Sequence, residues 1–575
     1  MIEERGFGFS GTVAEKSPLS LVAALWSAVL SIVLFHNEPA VAQTPRLRVL
    51  HNFTGQAWPT APLVEGADGN FYGVTPCGPG TSSRGQVFKV TPDGVFATLV
   101  AFNGDNGQSP NGLVLGNDGN FYGTTDWGGS SGLGTVFRMM PDGRLTTLAV
   151  FNGANGLHPA GPLVQYRDGE FYGTTVTGTN YHGTVFKVTM EGVLTTLLSF
   201  PASYGSFPAG LTLSGNSSFY GTTYNGDNGQ GTVFHVTRRG ELTTLAALDG
   251  MDAAYATGLT QGQDGKLYGT TFKGGDSRAG TVFRVTRHGK LKTLVNFNWT
   301  NGALPAGLLT LGPDKNFYGT TIYGGVFEGT VFKMTPDGTL TTLAQFASRS
   351  SGVRPYGGVT FGANGSLCGT AITGGSGDSG IIFRVDLPPC IISQPDHRYH
   401  GAGSTATFTV AAAGTKPFSY QWLKNGRKMV DGGNVSGANS ETLVLANVKT
   451  NDAGAFAVIV TNPWGSVTSD AASLTLLERG HSAVASLHVE ISGPSFKAGD
   501  SFASSPTRTP GSQVRLTFEG VPNSQYVLQY ATNLTNSPWF ALSTNSASAD
   551  GTWMVMDRVA DGQQRFYRVV SLPAP

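Results

Sequence analysis

The stretch GNDGNFYGTT, residues 116–125, decides the fold, because variants of it recur along the whole first two thirds of the chain. Its core reads FYGVT at 71, FYGTT at 121, 171, 219 and 317, LYGTT at 267 and LCGTA at 367. Successive copies start 50, 50, 48, 48, 50 and 50 residues apart. A fixed period of this length is typical of a repeat protein in which each unit is one supersecondary structure.

One complete unit, residues 110–151, contains four runs rich in β-branched and aromatic residues, which predict four strands. The runs are GLVL, NFYGTT, GTVFRM and RLTTLAVF. Asn-Asp-Gly-Asn joins the first two runs and Pro-Asp-Gly joins the last two, and both are residues that tight turns favour. The unit is therefore predicted to be a four-stranded antiparallel meander. Seven such units predict an all-β fold built around a seven-bladed β-propeller.

The glycine in the middle of each FYGTT copy weakens a strand, so its repetition needs a reason. We expect it to mark a point where neighbouring blades approach too closely for a side chain. The phrase is accordingly interpreted as a packing motif, with no catalytic role.

The two ends of the repeat region are expected to meet. RLRVLHNF, residues 46–53, matches the fourth-strand pattern, whereas the last unit stops after its third strand, GIIFRVDL, residues 380–387. Strand 46–53 is therefore predicted to complete the last blade and to remove an exposed sheet edge.

The repeat FYGTT…GG…GTVFK…PDG…LTTL resembles the GloVer tandem repeat, and the resemblance covers residues 46–388. The unit is also similar to a propeller blade of the NHL type. The family implies an exported bacterial protein with a choice of C-terminal anchors, and it implies no particular reaction. The C-terminus of this sequence shows no sorting signal or membrane tail.

Residues 391–477 resemble an immunoglobulin-like domain of the I-set type. Trp422 takes the position of the core tryptophan, and Asp452-Ala453-Gly454 leads into strand F. The resemblance puts Val410 and Val458 where the family has its two disulfide cysteines, and Phe456 where it has its corner tyrosine. Residues 478–512 are predicted to be a linker, and residues 513–575 a small β-sandwich-like module.

The N-terminus predicts export. The apolar run LVAALWSAVLSIVLF at 21–35 is followed by Ala-Val-Ala at 40–42, which fits a signal peptide of residues 1–42 and a mature chain that starts at Gln43. An uncleaved anchor is the alternative, but the run is shorter than the roughly 20 residues that span a bilayer. No later run approaches that length, so a secreted or extracytoplasmic location is expected, either at the cell surface or in the periplasm.

The amino-acid composition limits the kinds of partner that the chain can bind. Charged residues make up 13% of the 575 residues, the formal net charge is zero, and no long basic run occurs, which disfavours nucleic acid. Three cysteines form neither a disulfide framework nor a metal-ligand spacing, and Cys368 replaces a tyrosine as a small buried residue. No metal and no cofactor are expected.

The sequence contains no HExxH motif, and its ten histidines are scattered, so no catalytic group of residues is assigned. The long loops, between second and third strands and between blades, are expected to share one face and to carry the function. They hold aromatic residues and, among these, charged ones: Trp58, Trp127, Tyr181, His182, Tyr204, Tyr224, Tyr255, Phe272, Trp299, Tyr323 and Tyr356, with Asp126, Asp227, Lys273, Asp276, Arg278 and Arg354.

Aromatic rings beside polar groups suit stacking on sugar rings, although they also fit a simple role in covering a glycine-rich surface. The candidate ligand-binding residues are Trp127, Tyr181, Tyr224, Trp299, Tyr323 and Arg354, and no catalytic residue is assigned. The sequence thus favours an exported, non-catalytic binding or adhesion protein, with polysaccharide or cell-surface proteins as partners. Two alternatives stay open: an extracellular polysaccharide-active enzyme with an Ig-like spacer, and a structural surface component without a specific ligand.

Overall fold

The computed structural model describes residues 44–78, 84–178, 181–215, 218–226, 230–249, 254–325, 328–477 and six strands between 486 and 571. The predicted signal peptide and the predicted start at Gln43 lie outside the described residues. Within these ranges the protein is all-β, and its helical segments are three short 3-10 turns, Ala202–Tyr204, Arg349–Ser351 and Thr450–Asp452.

The repeat region forms seven four-stranded antiparallel sheets, numbered here in chain order. Sheet 1 contains β2 (Val64–Glu65), β3 (Phe71–Thr75), β4 (Gln86–Val90) and β5 (Phe96–Ala101). Sheet 2 contains β6 (Gln108–Leu115), β7 (Phe121–Trp127), β8 (Thr135–Met139) and β9 (Leu145–Val150). Sheet 3 contains β10 (Leu157–Gln165), β11 (Phe171–Thr177), β12 (Thr184–Val188) and β13 (Leu194–Ser199).

The next three sheets repeat the same strand order. Sheet 4 contains β14 (Ser206–Ser214), β15 (Ser218–Asn225), β16 (Thr232–Thr237) and β17 (Leu242–Ala247). Sheet 5 contains β18 (Ala254–Gln261), β19 (Leu267–Lys273), β20 (Thr281–Val285) and β21 (Leu291–Asn296). Sheet 6 contains β22 (Thr310–Leu311), β23 (Phe317–Thr321), β24 (Thr330–Met334) and β25 (Leu340–Gln345).

Sheet 7 is built from both ends of the repeat region. It contains β26 (Val359–Phe361), β27 (Leu367–Ala371) and β28 (Ile381–Asp386), and its fourth strand is β1 (Arg46–Asn52). β1 pairs antiparallel with β28 from Arg46 opposite Asp386 to Asn52 opposite Ile381. The carboxylate of Asp386 is fully buried and lies between two arginines, Arg48 and Arg384. A carboxylate in this position needs both partners, because an unpaired buried charge is costly.

The five residues of each FYGTT copy are buried, because neighbouring sheets pack on the faces of the strand. The tyrosine of one copy packs on the phenylalanine of the next copy: the ring centroids of Tyr72 and Phe121 are 4.1 Å apart, and those of Tyr122 and Phe171 are 4.0 Å apart. Aromatic pairs of this kind contribute about 0.5–1.5 kcal/mol each beyond the area they bury. The repeated phrase therefore holds neighbouring sheets together.

The recurrence of glycine in the FYGTT copies has a different cause from the one that the sequence suggested. A Cβ at Gly123 would lie 2.5 Å from Cζ of Phe137, which is the residue opposite Gly123 on the neighbouring strand of the same sheet. Gly221 and Phe234 of sheet 4 have the same relation. The expectation that neighbouring blades require this glycine is wrong, because the space is filled by a phenylalanine ring of its own sheet.

The Ig-like domain has two facing sheets. One contains β31 (Ala406–Thr409), β36 (Thr442–Leu445) and β35 (Val435–Ser436). The other contains β30 (Arg398–Gly401), β39 (Ala472–Leu477), β37 (Gly454–Asn462), β33 (Ser419–Lys424) and β34 (Arg427–Lys428), with β38 (Gly465–Thr468) paired to β37, and a separate pair joins β29 (Cys390–Ser393) to β32 (Ala411–Ala413).

The core of this domain is apolar and has no disulfide. Val410 and Val458 are buried in one cluster with Trp422, whose indole N–H donates a hydrogen bond to the carbonyl of Ser440 (2.9 Å). Phe456 is fully buried and stacks on Phe408, with ring centroids 4.7 Å apart. Packing between apolar side chains thus replaces the covalent link that the two valine positions lack.

The C-terminal region forms two three-stranded antiparallel sheets. They contain β40 (Ser486–Ser492), β41 (Gln513–Glu519) and β44 (Thr552–Arg558), and β43 (Phe540–Ser546), β42 (Gln525–Ala531) and β45 (Phe566–Ser571). β40 lies inside the predicted linker 478–512 and pairs with β41 over all seven of its residues. The linker prediction is wrong at this point, because the alternating sequence SLHVEIS is a strand pattern within a segment that is otherwise rich in Ser, Gly and Pro.

Candidate functional site

The turns of the repeat region form a surface that we call the turn face, made of the turns between first and second strands and between third and fourth strands. In sheet 1, the hydroxyl of Tyr72 donates to the carboxylate of Asp68 (3.0 Å), and the ammonium of Lys89 lies 2.7 Å from the same carboxylate. Sheet 6 repeats this network with Tyr318, Asp314 and Lys333. A network that recurs at equivalent positions indicates a role in the scaffold.

Burial works against ionisation of Asp68, but hydrogen bonds from Lys89 and Asn70 outweigh it and hold the pKa of this carboxyl below its usual range. Burial raises the pKa of Tyr122 to about 12, and its hydrogen bond to Asp118 acts in the same direction. These tyrosines therefore stay protonated donors at neutral pH. The aspartates of the turns, which the sequence explains by turn geometry alone, also anchor the buried tyrosines.

The opposite surface, which we call the loop face, consists of the loops between second and third strands, the segments that link one sheet to the next, and the strand ends that adjoin them, such as Trp127 of β7 and His158 of β10. These two kinds of loop contact each other through backbone hydrogen bonds. The amide of Gly129 donates to the carbonyl of Gly104 (2.8 Å), and the amide of Gly325 donates to the carbonyl of Trp299 (2.8 Å). The loops that carry the candidate residues thus form one surface on a rigid support.

Seven residues of the loop face, one per repeat, share an unusual backbone conformation. They have positive φ between 45° and 60°, and we call them the left-handed positions: Trp58, Ser109, His158, Phe207, Tyr255, Leu304 and Arg354. Side chains other than glycine rarely adopt this conformation, which costs on the order of 1–3 kcal/mol for each residue. The backbone is the same in every repeat, whereas all seven side chains differ.

The neighbouring sheet maintains this conformation. The amide of Leu304 donates to the carbonyl of Ala279 in the preceding sheet (2.7 Å), and the amide of Ser109 donates to that of Arg84 (2.8 Å). Six of the seven left-handed positions precede a proline. Pro159 packs so tightly on Gly134 that a Cβ at that glycine would lie 2.7 Å from the ring of Pro159. Contacts between sheets therefore fix the backbone position from which each of the seven side chains projects.

Trp127, a predicted binding residue, lies beside the left-handed position of the following sheet. Its ring centroid is 4.0 Å from that of His158, edge to face, and 46% of Trp127 is exposed. The Nδ1 atom of His158 lies 3.2 Å from a carboxylate oxygen of Asp126. Burial raises the pKa of the Asp126 carboxyl, although His158 opposes this effect. The arrangement offers an open ring face next to a polar pair.

Tyr224, a second predicted residue, belongs to an equivalent pair. It is 47% exposed and stacks on Tyr255, the left-handed position of the next sheet, with ring centroids 4.4 Å apart. The ammonium of Lys273 lies 5.8 Å from the centroid of Tyr255. Burial raises the pKa of Tyr356, and the phenol of Tyr224 raises it further.

Tyr323 and Arg354 form the third pair, and both were predicted. The guanidinium carbon of Arg354, a left-handed position, lies 5.3 Å from the ring centroid of Tyr323. A cation at this distance above an aromatic ring is attracted to its electron-rich face.

The two other predicted residues stand apart from these pairs. Tyr181 is 79% exposed and Trp299 is 50% exposed, and both have positive φ. Neither makes a ring contact within the described part of the chain. The structure therefore brings Trp127, Tyr224, Tyr323 and Arg354 into pairs and leaves Tyr181 and Trp299 as single exposed rings.

Sequence reasoning missed His158, which it counted among scattered histidines. The signal that could have found it is the residue before the proline that opens each unit, a position that varies freely between Trp, Ser, His, Phe, Leu and Arg.

Among the described residues, no three His, Cys, Asp or Glu side chains converge as a metal site would require. The described residues also contain no helix that is long and apolar enough to cross a membrane.

The fold and the loop face define an all-β tandem-repeat protein with an Ig-like domain. Comparison with family models matches residues 33–228 and 214–419 to the Gloeobacter/Verrucomicrobia repeat and residues 389–476 to the immunoglobulin I-set domain. The chain belongs to the Gloeobacter/Verrucomicrobia repeat family, and its tandem repeats are followed by an I-set domain.

Several solved structures are similar to part of the chain. The titin M10–obscurin-like 1 Ig complex is 26% identical over 16% of this chain and 98% of that chain, with a TM-score of 0.15. A trigonal form of titin M4 is 23% identical over 16% and 98%, with a TM-score of 0.15. The twitchin kinase region from C. elegans is 21% identical over 16% and 18%, with a TM-score of 0.15.

Proposed function

We propose that this chain is an exported, non-catalytic carbohydrate-binding protein, in which the seven sheets close into a seven-bladed β-propeller and the loop face binds the ligand. Closure is supported by contacts between sheet 7 and sheet 1. The hydroxyl of Thr360 donates to the carbonyl of Leu63 (2.7 Å), and the equivalent hydroxyl of Thr260 donates to that of Leu309 one sheet on (2.5 Å). The last sheet therefore meets the first as each sheet meets its neighbour.

The hydrophobic contacts support the same closure. One buried cluster combines Phe71 and Phe88 of sheet 1 with Cys368 and Ile382 of sheet 7. The other neighbouring sheets share clusters of the same kind. In a closed ring each sheet packs against a neighbour on both of its faces, and this gives the loop face a rigid support.

The observation that carries the binding proposal is the set of three exposed pairs on the loop face. In each pair, a side chain one or two residues after the FYGTT copy of one sheet meets the left-handed position of the next sheet: Trp127 with His158, Tyr224 with Tyr255 and Tyr323 with Arg354. Exposed aromatic faces stack on the apolar faces of sugar rings, and nearby polar groups bind the hydroxyls. Contacts between sheets impose the left-handed backbone in every repeat but do not determine the side chain, so the seven side chains are free to serve a ligand.

A non-catalytic role is supported by the way carboxylates of the loop face are engaged. Asp126 contacts His158, Asp276 accepts a hydrogen bond from Asn296, and Asp378 pairs with Arg349. Glycoside hydrolysis needs two carboxyl groups that face each other across the scissile bond.

The test is a glycan and polysaccharide binding screen with the chain from Gln43 to Pro575, run beside an assay for released reducing sugar. We expect binding to at least one polysaccharide and no release of sugar ends. Release that grows with time would overturn the non-catalytic part, and a complete lack of binding would overturn the function itself. Sequencing of the secreted protein checks export, for which Gln43 is the expected first residue.

A further inference from the structure

Four tyrosines and two cations lie on the loop face in the second half of the repeat region. Tyr255 contacts both the ammonium of Lys273 and the ring of Tyr224. The guanidinium of Arg354 lies above the ring of Tyr323, and Tyr356, which is 37% exposed, follows Arg354 by two residues. We call these six residues the tyrosine patch: Tyr224, Tyr255, Lys273, Tyr323, Arg354 and Tyr356.

The two cations of the tyrosine patch differ from three lysines that reach the turn face. Lys89, Lys187 and Lys333 each lie within 2.8 Å of a carboxylate of the turn face. Lys273 and Arg354 are exposed and, among the described residues, lie within ion-pair distance of no carboxylate. Each lies above a tyrosine ring instead. Their positive charges are therefore available to a ligand.

We propose that the tyrosine patch binds an acidic glycan, with Arg354 and Lys273 holding its anionic groups while the tyrosine rings stack on its sugar rings. The proposal rests on the proposed function and adds the charge of the ligand. Arginine presents a planar fork that matches two oxygens of a carboxylate, and lysine acts as a point charge. A sulfate ester offers the same kind of anion to these cations, so uronate and sulfated glycans share the recognised chemistry.

Tyrosine suits such a ligand because its ring is apolar and its hydroxyl is a hydrogen-bond donor at neutral pH. Contact of the cations with the tyrosine rings also holds their long side chains in place before the ligand arrives. Part of the entropy cost of binding is thereby removed in advance.

The experiment compares three oligosaccharides of equal length by isothermal titration calorimetry with the chain from Gln43 to Pro575: oligogalacturonate, a sulfated galactan fragment and an uncharged mannan fragment. We expect at least one acidic oligosaccharide to bind at least tenfold more tightly than the uncharged one. Its affinity should fall as salt rises from 50 to 200 mM, because part of the attraction is between charges.

The test variant is Lys273→Gln with Arg354→Asn, and asparagine is chosen because it tolerates the left-handed conformation of residue 354. We expect a loss of at least tenfold for the acidic ligand and little change for the uncharged one. The matched control is Arg144→Gln, an exposed arginine of the turn face that pairs with Asp142 of its own turn. This control should bind like the parent.

The outcomes separate the two proposals. Loss of a uronate ligand or loss of a sulfated ligand in the variant supports the acidic-glycan inference and identifies the anion. Equal binding of charged and uncharged oligosaccharides, or an unaffected variant, overturns the inference and leaves the carbohydrate-binding function standing. If no oligosaccharide or polysaccharide binds at all, the proposed function fails with it. The salt dependence of the parent chain needs no variant and decides the matter even if the variant misfolds.

Discussion

The turn face and the loop face lie on the same seven sheets, yet they use the repeat in opposite ways. On the turn face both the backbone and the side chains recur: Tyr72, Asp68 and Lys89 of sheet 1 correspond to Tyr318, Asp314 and Lys333 of sheet 6. On the loop face only the backbone recurs, and the left-handed positions carry seven different side chains. The recurring side chains of the turn face serve contacts within the scaffold, whereas the scaffold does not require any particular side chain at the left-handed positions, and these are the side chains that the proposed binding function uses.

Both faces stand on the same seven sheets, and we expect deletion of residues 46–53 to destabilise these sheets more than any other change. The deletion removes β1 and leaves Asp386 with Arg384 as its remaining arginine. We expect the melting temperature of the repeat region to fall by roughly 10 °C or more, because several kcal/mol of packing and pairing are lost. Differential scanning calorimetry measures this, and deletion of residues 1–43, which keeps β1 intact, is the control. An unchanged transition would show that the sheets stand without β1.

The shared packing of the sheets is tested by Gly221→Ala. The added methyl group would overlap the ring of Phe234, so we expect a loss of about 1–3 kcal/mol in the free energy of unfolding. Gly215→Ala in the same sheet is the matched control, because a Cβ there meets no atom within 4 Å. Urea titration compares the two variants, and equal midpoints would contradict our account of the glycine.

The loop face is tested by the double variant Trp127→Ala with Tyr224→Ala, which removes one aromatic ring from each of two pairs. We expect binding of any glycan ligand to weaken roughly tenfold, since each stacked ring contributes about 0.5–1.5 kcal/mol. The melting temperature should stay within a degree or two, because both side chains are about half exposed. Trp299→Ala, which removes a single exposed ring, should have a smaller effect. Calorimetric titration gives the affinities, and a double variant that binds as tightly as the parent would place the site elsewhere.

The carboxylates of the turn face are tested by the dependence of stability on pH. The pKa values of Asp68, Asp118 and Asp314 are lowered in the folded chain, so their hydrogen bonds stabilise it at pH values above the ordinary value of 3.8. That stabilisation is lost as the pH falls below about 4, with a contribution of roughly 0.2–1 kcal/mol for the exposed pair of Asp68 and Lys89. Melting curves between pH 7 and pH 2 show the loss. The variant Asp68→Asn with Asp314→Asn should be less stable at pH 7 and should depend less on pH, and a parallel decline in both proteins would exclude these carboxylates as the cause.

The smallest effect is expected in the Ig-like domain, where reductant should leave the melting temperature unchanged. Val410 and Val458 occupy the core, and the three cysteines of the described residues are free. Scanning calorimetry with and without dithiothreitol checks this, and a shift of the Ig-like transition would mean that a cysteine supports the domain. Val458→Ala is the comparison variant. It removes two buried methyl groups from this core and should lower the free energy of unfolding by about 1–3 kcal/mol.

Much of the fold is encoded locally and can be predicted from the sequence. The unit of four strands follows from runs of β-branched and aromatic residues between Asp-Gly turns, because both signals act over a few residues. The I-set core around Trp422 is predictable for a similar reason, since Val410, Val458 and Phe456 occupy fixed places in the pattern. The sequence also predicts that Trp127, Tyr224, Tyr323 and Arg354 lie in long loops, although the structure extends the second strands β7 and β15 over Trp127 and Tyr224.

The remaining features depend on contacts between residues that are distant in the chain. The reason for Gly221 is the ring of Phe234 on the next strand, and the partner of Trp127 is His158, which lies in the following sheet. The left-handed conformation of His158 is held by the carbonyl of Leu133 in the neighbouring sheet (3.1 Å), and no local preference of histidine predicts it. The sequence by itself determined the strands and their turns, because turn chemistry and strand propensity are local. The tertiary structure alone decided which exposed side chains meet, because the packing of one sheet on the next sets those distances.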